Sequence, residues 1–400
     1  GKGWQGANWN DLVTDYYAIG VDMVGYTAGT TLVTNNSGNI TVNGVGGINY
    51  DDTTHSVGIN FYNGAGITAN NISTVNGAVS LSGTAGTGLS RIKAGIASDG
   101  GTANIYSSTG AVNVTGISTG SVSGVLNNGG TINIGSNGTT TTSGTVTVSA
   151  DILTLTLGTT SVSGTGGLVL KPVTTGTTIG LGTGVGTLVL PSSWFTGSSV
   201  FKDGFSSIVL GASDAGNITV GGANAFVDCA TLLTGGNITL NAGASITNSQ
   251  ASGNMVLAAT GNFINNAGAN AISTTDAGAN DRWIVYSNTP TSNTFGGLVS
   301  GNAAVWSSTY SSLAPASVGS GNRYVFASAL TGINITASTT NVNQTYGTPV
   351  DLSTNLQLAS ADPAGSVYTT TTGTLTLSDV FSTLPTVPLT AGASASCTWM

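Results

Sequence analysis

The chain has 400 residues, with 7 Lys and Arg against 15 acidic residues and a single His, for a net charge of −8. Every acidic residue is Asp, so the Glu, Lys and Arg that build the polar face of an ordinary surface helix are nearly missing, while Gly, Thr, Ser, Asn and Val supply tight corners and strands. Nucleic acid is excluded as a partner for want of Lys/Arg clusters, a spanning helix because no apolar run approaches ~20 residues, and a membrane barrel because aromatics are only 6% and sit late in the chain.

Residues 1–30 are atypical, with Trp4, Trp9, Tyr16, Tyr17 and Tyr26. They read as an N-terminal cap or an upstream coil, and Asp11 to Val21 is the best candidate for a short helix. The chain starts at Gly1 with no signal peptide and stops at Cys397-Thr398-Trp399-Met400, as a processed or cropped piece of something longer would.

Residues 31–280 carry repeats. Gly38-Asn39-Ile40-Thr41-Val42 returns as Gly216-Asn217-Ile218-Thr219-Val220 and Gly236-Asn237-Ile238-Thr239-Leu240. Leu168-Val169-Leu170, Leu188-Val189-Leu190 and Ile208-Val209-Leu210 recur at one even spacing. Short apolar strands at a fixed period predict a solenoid of stacked coils, here a parallel β-helix with coils of about 20 residues. A mean hydropathy of +0.24 favours a buried core over disorder. Alternation puts Ile218 and Val220 inside and Asn217 and Thr219 outside, and Asn at the corners can stack into ladders. About 12 coils at ~4.8 Å give a rod of roughly 60 Å.

Residues 281–330 crowd Trp283, Tyr286, Phe295, Trp306, Tyr310, Tyr324 and Phe326 into one stretch. Bulky aromatics suit a cap over an open solenoid end. A sugar-stacking platform is the sharper alternative, and Trp283, Trp306 and Tyr310 are its candidate ligand or partner contacts. Residues 331–400 hold Ile333 to Ala337 and Thr374 to Leu377 as alternating strands around Tyr346-Gly347 and Asp362-Pro363 turns, which predicts a small β-sandwich module.

Several of these stretches resemble filamentous-haemagglutinin-like bacterial exoproteins. They are Ile179-Gly180 through Thr187-Leu188-Val189-Leu190-Pro191-Ser192-Ser193, Phe205-Ser206-Ser207-Ile208 and the Gly-Asn-Ile-Thr coils. Arg282-Trp283-Ile284-Val285-Tyr286-Ser287 is similar to the element that often ends the family's β-helix, and Phe295-Gly296-Gly297-Leu298 and Asn322-Arg323-Tyr324 fit the same pattern. Thr345-Tyr346-Gly347 looks like the start of a YDG/MBG-type β-sandwich. The resemblance implies a right-handed parallel β-helix, export through an outer-membrane partner pore, and display at the bacterial surface for adhesion, aggregation or biofilm formation. The family's Asn-Pro-Asn secretion motif is absent from this sequence, so the piece would be a passenger segment.

Candidate chemistry is sparse. Asp51-Asp52-Thr53-Thr54-His55 is the densest ionisable cluster; a solvated loop explains it better than acid–base or metal chemistry, which needs carboxylates or cations converging from neighbouring coils. Gly180 to Gly186 faintly suggests a nucleotide loop but leads into a strand, which removes the helix N-terminus that would hold phosphate. Asp99-Gly100-Gly101 lacks the calcium nonapeptide repeat. Cys229 and Cys397 have no metal spacing and read as two unpaired thiols. A flat Thr array for ice binding would need Thr at one position in successive coils, and Gly167, Thr187 and Ser207 break that register. The expectation is therefore a non-enzymatic, secreted surface protein on a stiff stalk, without cofactor or metal, whose partners are surface glycans or like chains. A self-assembling filament subunit is the alternative; a polysaccharide-acting β-helix enzyme and an ice-binding protein come behind.

Overall fold

The computed structural model describes residues 19–25, 31–34, 37–50, 55–63, 70–196, 199–250, 253–274, 281–302, 304–329, 333–337 and 356–360. Among them the regular structure is strand, with three short 3-10 turns, at Ser192–Phe195, Pro290–Ser292 and Pro315–Ser317, and no α-helix. Val21 begins a strand (Val21–Gly25), and Asp11 to Tyr17 lie outside the described residues.

One sheet runs the length of the described coils. Ten strands pair in parallel in the order Ile40–Val45, Val79–Thr84, Val112–Ile117, Val146–Ala150, Gly167–Lys171, Ser207–Ala212, Ala230–Thr234, Asn254–Ala259, Arg282–Ser287 and Arg323–Phe326. Nine steps at ~4.8 Å make it about 43 Å long. Two further faces close the coil, as expected of a β-solenoid. On one, Val21–Gly25, His55–Asn63, Ile92–Asp99, Ser123–Asn128 and Leu153–Thr154 stack, and a second five-strand sheet, from Leu188–Leu190 through Ile179–Gly182 to Phe263–Asn265, takes the same place in the later coils. On the other, a stack from Thr31–Thr34 to Thr160–Val162 gives way to Ala223–Phe226, Ser245–Asn248 and Ile272–Thr274.

The core follows from alternation along strands of β-branched and apolar residues. The inward column Val146, Leu168, Ile208, Ala230, Met255 and Trp283 continues from coil to coil in register. Ile218 and Val220 are fully buried, while Asn217 is exposed and Thr219 half-buried. Asn217 and Asn237 stand at corners, but their amides do not stack on each other. The Asn217 side-chain oxygen accepts the Asn237 backbone N–H, and that of Asn237 accepts the Asn262 N–H, each at 2.8 Å. An amide-to-amide ladder forms elsewhere, where Asn133 donates to Asn104 (2.8 Å) and Asn104 to Asn71 (2.9 Å).

The coil length corrects the fixed period. Successive partners in the long sheet are Ile40, Val79, Val112, Val146, Leu168, Ile208, Ala230, Met255 and Trp283. Their spacing is uneven, shortest from Val146 to Leu168 and from Ile208 to Ala230, and longest from Leu168 to Ile208, which pair directly. Leu188–Leu190 steps back and pairs with Ile179–Leu181 on another face. The even repeat of the apolar triplets is thus a half-turn of one long coil. Strand content and corners set the triplets, while loop length between corners is free to vary.

Beyond residue 330, Ile333–Ala337 and Leu356–Ser360 form an antiparallel pair, in contrast to the parallel pairing of the stacked strands before them. The rest of 331–400, with Thr345-Tyr346-Gly347 and Cys397, lies outside the described residues.

Candidate functional site

The late aromatics have two destinations. Arg282–Ser287 is buried on both faces. Its inward side chains, Trp283 and Val285, join the main core. Trp283 meets Tyr324 edge-on at 5.0 Å, Phe295 meets Tyr324 edge-on at 4.9 Å, and Tyr324 lies parallel to Phe326 at 6.1 Å. Rings in these offset and edge arrangements fill a widening core densely. The Tyr324 hydroxyl donates to Leu298 O at 2.8 Å, and burial holds its pKa far above the ordinary tyrosine range. The outward side chains, Ile284 and Tyr286, belong to a second cluster with Val256, Ala258, Val318 and Val325, beneath a flap that brings Tyr310, Leu313 and Val318 over the sheet's outer face.

Arg282 fastens that flap. Its guanidinium donates to Val318 O and Pro315 O at 2.8 Å each, to Gly319 O, and through Nε to Asn254 Oδ1 at 3.1 Å. Tyr286 adds a hydroxyl donated to Leu313 O at 2.9 Å and meets Tyr310 edge-on at 5.5 Å. The planar, five-donor fork suits Arg to collecting several carbonyls at once.

The three candidate contact residues are not brought together. Trp283 is 3% exposed and its ring is packed within the main core. Trp306 is half-buried against the inner cluster, 4.9 Å from Phe326, and Tyr310 is half-buried in the outer one. No flat platform joins the three. Their apolar bulk is spent on the end of the core and on the flap.

His55 also departs from expectation. It is not on a solvated loop but begins strand His55–Asn63 and is 8% exposed. Its Nε2 lies 3.1 Å from Asp99 Oδ2, and Asn128 donates to the other Asp99 oxygen at 2.9 Å. The hydrogen bond with His55 holds the Asp99 carboxyl below the usual carboxylate range. Asp22, which accepts from Asn60 at 3.0 Å, is instead pushed up by burial. Asp51 and Asp52 lie outside the described residues. Among the described residues no three His, Cys, Asp or Glu side chains converge to hold a metal ion. The cluster ties successive coils together, from Asp22 through Asn60 and His55 to Asp99 and Asn128.

A second carboxylate escaped sequence reading because nothing local marks it. Asp228 is 1% exposed and accepts the Gly204 N–H at 3.2 Å. Burial, with Asp203 close by, pushes its pKa up to about 6. Cys229 beside it is a half-buried free thiol. The glycines of 180–186 serve backbone contact. A Cβ on Gly184 would meet Thr219 O at 1.9 Å, and one on Gly180 would meet Gly184 O at 2.2 Å.

The remaining candidate is the outer face of the long sheet. Residues in register there are Thr41, Ser80, Asn113, Thr147, Val169, Val209 and Thr231, with Asn43, Ser82, Thr115, Ser149 and Lys171 alongside. Asn113 donates to Ser80 Oγ at 3.2 Å. Over its first four strands this face is neutral and built of hydroxyls and amides, and Thr is interrupted by Ser, Asn and Val, so a uniform Thr array does not form.

The chain matches no family model, no curated protein and no solved structure.

Proposed function

We propose that this chain is the stalk of a secreted, non-enzymatic bacterial surface protein that acts in adhesion or as a biofilm or matrix component. The observation that carries the reading is the unbroken ten-strand parallel sheet, with neutral hydroxyl and amide columns over its first four strands. Continuous ladders stiffen a rod, and a repeating neutral face holds a polymer of sugars through many weak, equivalent contacts. The resemblance to filamentous-haemagglutinin-like exoproteins supports the same reading, and with it a right-handed coil, export through an outer-membrane pore, and a C-terminal β-sandwich beginning near residue 331.

Electron microscopy of the native material, on the culture surface and in the supernatant, tests this. Isolated rods tethered to cells, with binding in a glycan screen that falls at least tenfold when Ser80, Asn113 and Thr147 are all changed to Asp, sustain it. Soluble chains with no affinity for cells or glycans refute it. The alternative is a structural subunit of an extracellular filament. One observation favours it: the long sheet is parallel throughout, so copies placed head to tail present strands of one sense to each other.

A further inference from the structure

We propose that residues 304–308 are a plug, supplied in cis, on the C-terminal edge of the long sheet, and that the partner they shut out is a second copy of this chain. The inference does not rest on the adhesin reading.

A sheet edge exposes a row of N–H and C=O groups that templates another strand. Arg323–Phe326 is the last strand of the long sheet, and its outer edge is occupied group by group. Val305 N–H donates to Tyr324 O (2.9 Å) and Phe326 N–H to Val305 O (2.8 Å). Ser308 N–H donates to Phe326 O and Ser307 N–H to Ser328 O, both at 3.0 Å. The plug precedes the strand in sequence yet lies beyond it in the stack, so the chain overshoots and then returns to insert Arg323–Phe326 beneath it. A chain that simply coiled onward would have left that edge open.

The plug does not become a new template. Ser307 has φ +52°, the one non-glycine in the left-handed region among the described residues. Such a conformation is uncommon outside glycine and persists only where its surroundings impose it. It bends the chain directly after Trp306, so only Val305 pairs in ladder register, opposite Val325, while Ser307 and Ser308 reach back to Ser328 O and Phe326 O from the bend. From outside, Arg282 and Tyr286 hold the flap that follows it, through Leu313 O, Pro315 O, Val318 O and Gly319 O.

The excluded partner follows from polarity. The long sheet is parallel throughout. A second copy placed head to tail therefore brings its strands up in the same sense that Arg323–Phe326 accepts. Such a contact is heterologous and does not close, so it propagates into filaments.

The test uses the full chain and two variants. Val305→Pro removes the N–H given to Tyr324 O, and Arg282→Gln loosens the flap without touching the edge. Light scattering after size exclusion and negative-stain microscopy follow assembly, and circular dichroism with thermal melting follows folding. We expect a monomeric parent and folded variants that associate at least tenfold more strongly, as head-to-tail stacks. A synthetic 301–313 peptide added in trans should return them to monomers. Folded variants that stay monomeric overturn the proposal, as does a parent that already stacks through this edge. Loss of cooperative melting in both variants would make the segment part of the core rather than a plug on it, and equally overturns it.

Discussion

The coils from Ile40 to Ala150 and those from Ser207 to Phe326 share one continuous sheet but are held together by opposite means. In the first region backbones touch. Gly44, Gly83 and Gly116 stand in register at the ends of three strands of the long sheet. A Cβ on them would meet Gly58 O, Gly95 O and Gly124 O respectively, each at 2.0 Å. This double glycine column lets the chain cross itself, and a small satellite core of Val57, Ile92, Ala94 and Ala97 forms beside it. The coils here are long, running from Ile40 to Val79, on to Val112 and then to Val146. At the fourth strand Ala150 takes the glycine position, and the next coil, Val146 to Leu168, is shorter than any of these. In the second region side chains do the work: rings fill the interior, and Arg282 binds the outside. A solenoid's rise is set by the hydrogen-bond ladder alone, so its cross-section is free to be narrow and backbone-packed or wide and ring-packed.

The largest effect that would break this comparison is Gly83→Ala. Its backbone is unstrained, so the whole penalty is steric, and we expect a loss of about 2–4 kcal/mol in chemical denaturation. Gly167→Ala, whose Cβ would meet nothing closer than 3.4 Å, should be neutral or slightly stabilising. Equal tolerance at both positions would show that the glycine column is incidental.

Next is Arg282→Met. Removing the donors leaves Val318 O, Pro315 O and Asn254 Oδ1 short of a partner, and we expect about 2–3 kcal/mol. Limited proteolysis should then cut within 309–319 before any site in the Gly44–Gly124 region. First cleavage in that earlier region would reverse the ranking of the two regions.

Asp228 gives a pH signature. Its folded pKa lies above the ordinary aspartate value, so the folded state binds the proton more tightly than the unfolded chain. Stability is then full below about pH 4 and falls as pH rises through about 6. Two units correspond to at most about 3 kcal/mol; with the exposed Asp203 alongside bringing water near, about 1–2 is expected. Asp228→Asn should flatten the melting temperature between pH 5 and 7, and an unchanged slope would remove Asp228 as its source. Smallest is Tyr324→Phe, which deletes one buried hydroxyl bond to Leu298 O for about 1 kcal/mol. A loss near zero, read by denaturant midpoint, would mean that the ring alone matters.

Much of the strand content was legible from Val, Thr, Ile and Asn in alternation, as in Ile218-Thr219-Val220. A truer repeat than the evenly spaced triplets was also there to find. Ile40-Thr41-Val42-Asn43-Gly44, Val79-Ser80-Leu81-Ser82-Gly83 and Val112-Asn113-Val114-Thr115-Gly116 share apolar, polar, apolar, polar, glycine. The second interval is shorter than the first, which hid the repeat from a search at fixed period. Trp283, Trp306 and Tyr310 stand out in the sequence, but composition does not tell a ring that faces solvent from one that faces a core. His55 looked solvated because its partner, Asp99, is a full coil away in sequence.

By itself, then, the sequence determined the local terms: β-rich backbone, inward Ile, Val and Leu, outward hydroxyls, corners at Gly-Asn. These depend on one residue and its immediate neighbours. Only the tertiary structure decided which triplet stacks on which, that Leu188–Leu190 steps backward, that Gly83 touches Gly95, and that Val305 closes an edge formed by residues further along the chain. Each of those is a contact between coils. Its energy depends on loops of variable length and on which surfaces they bring within reach, and no short window of sequence contains both partners.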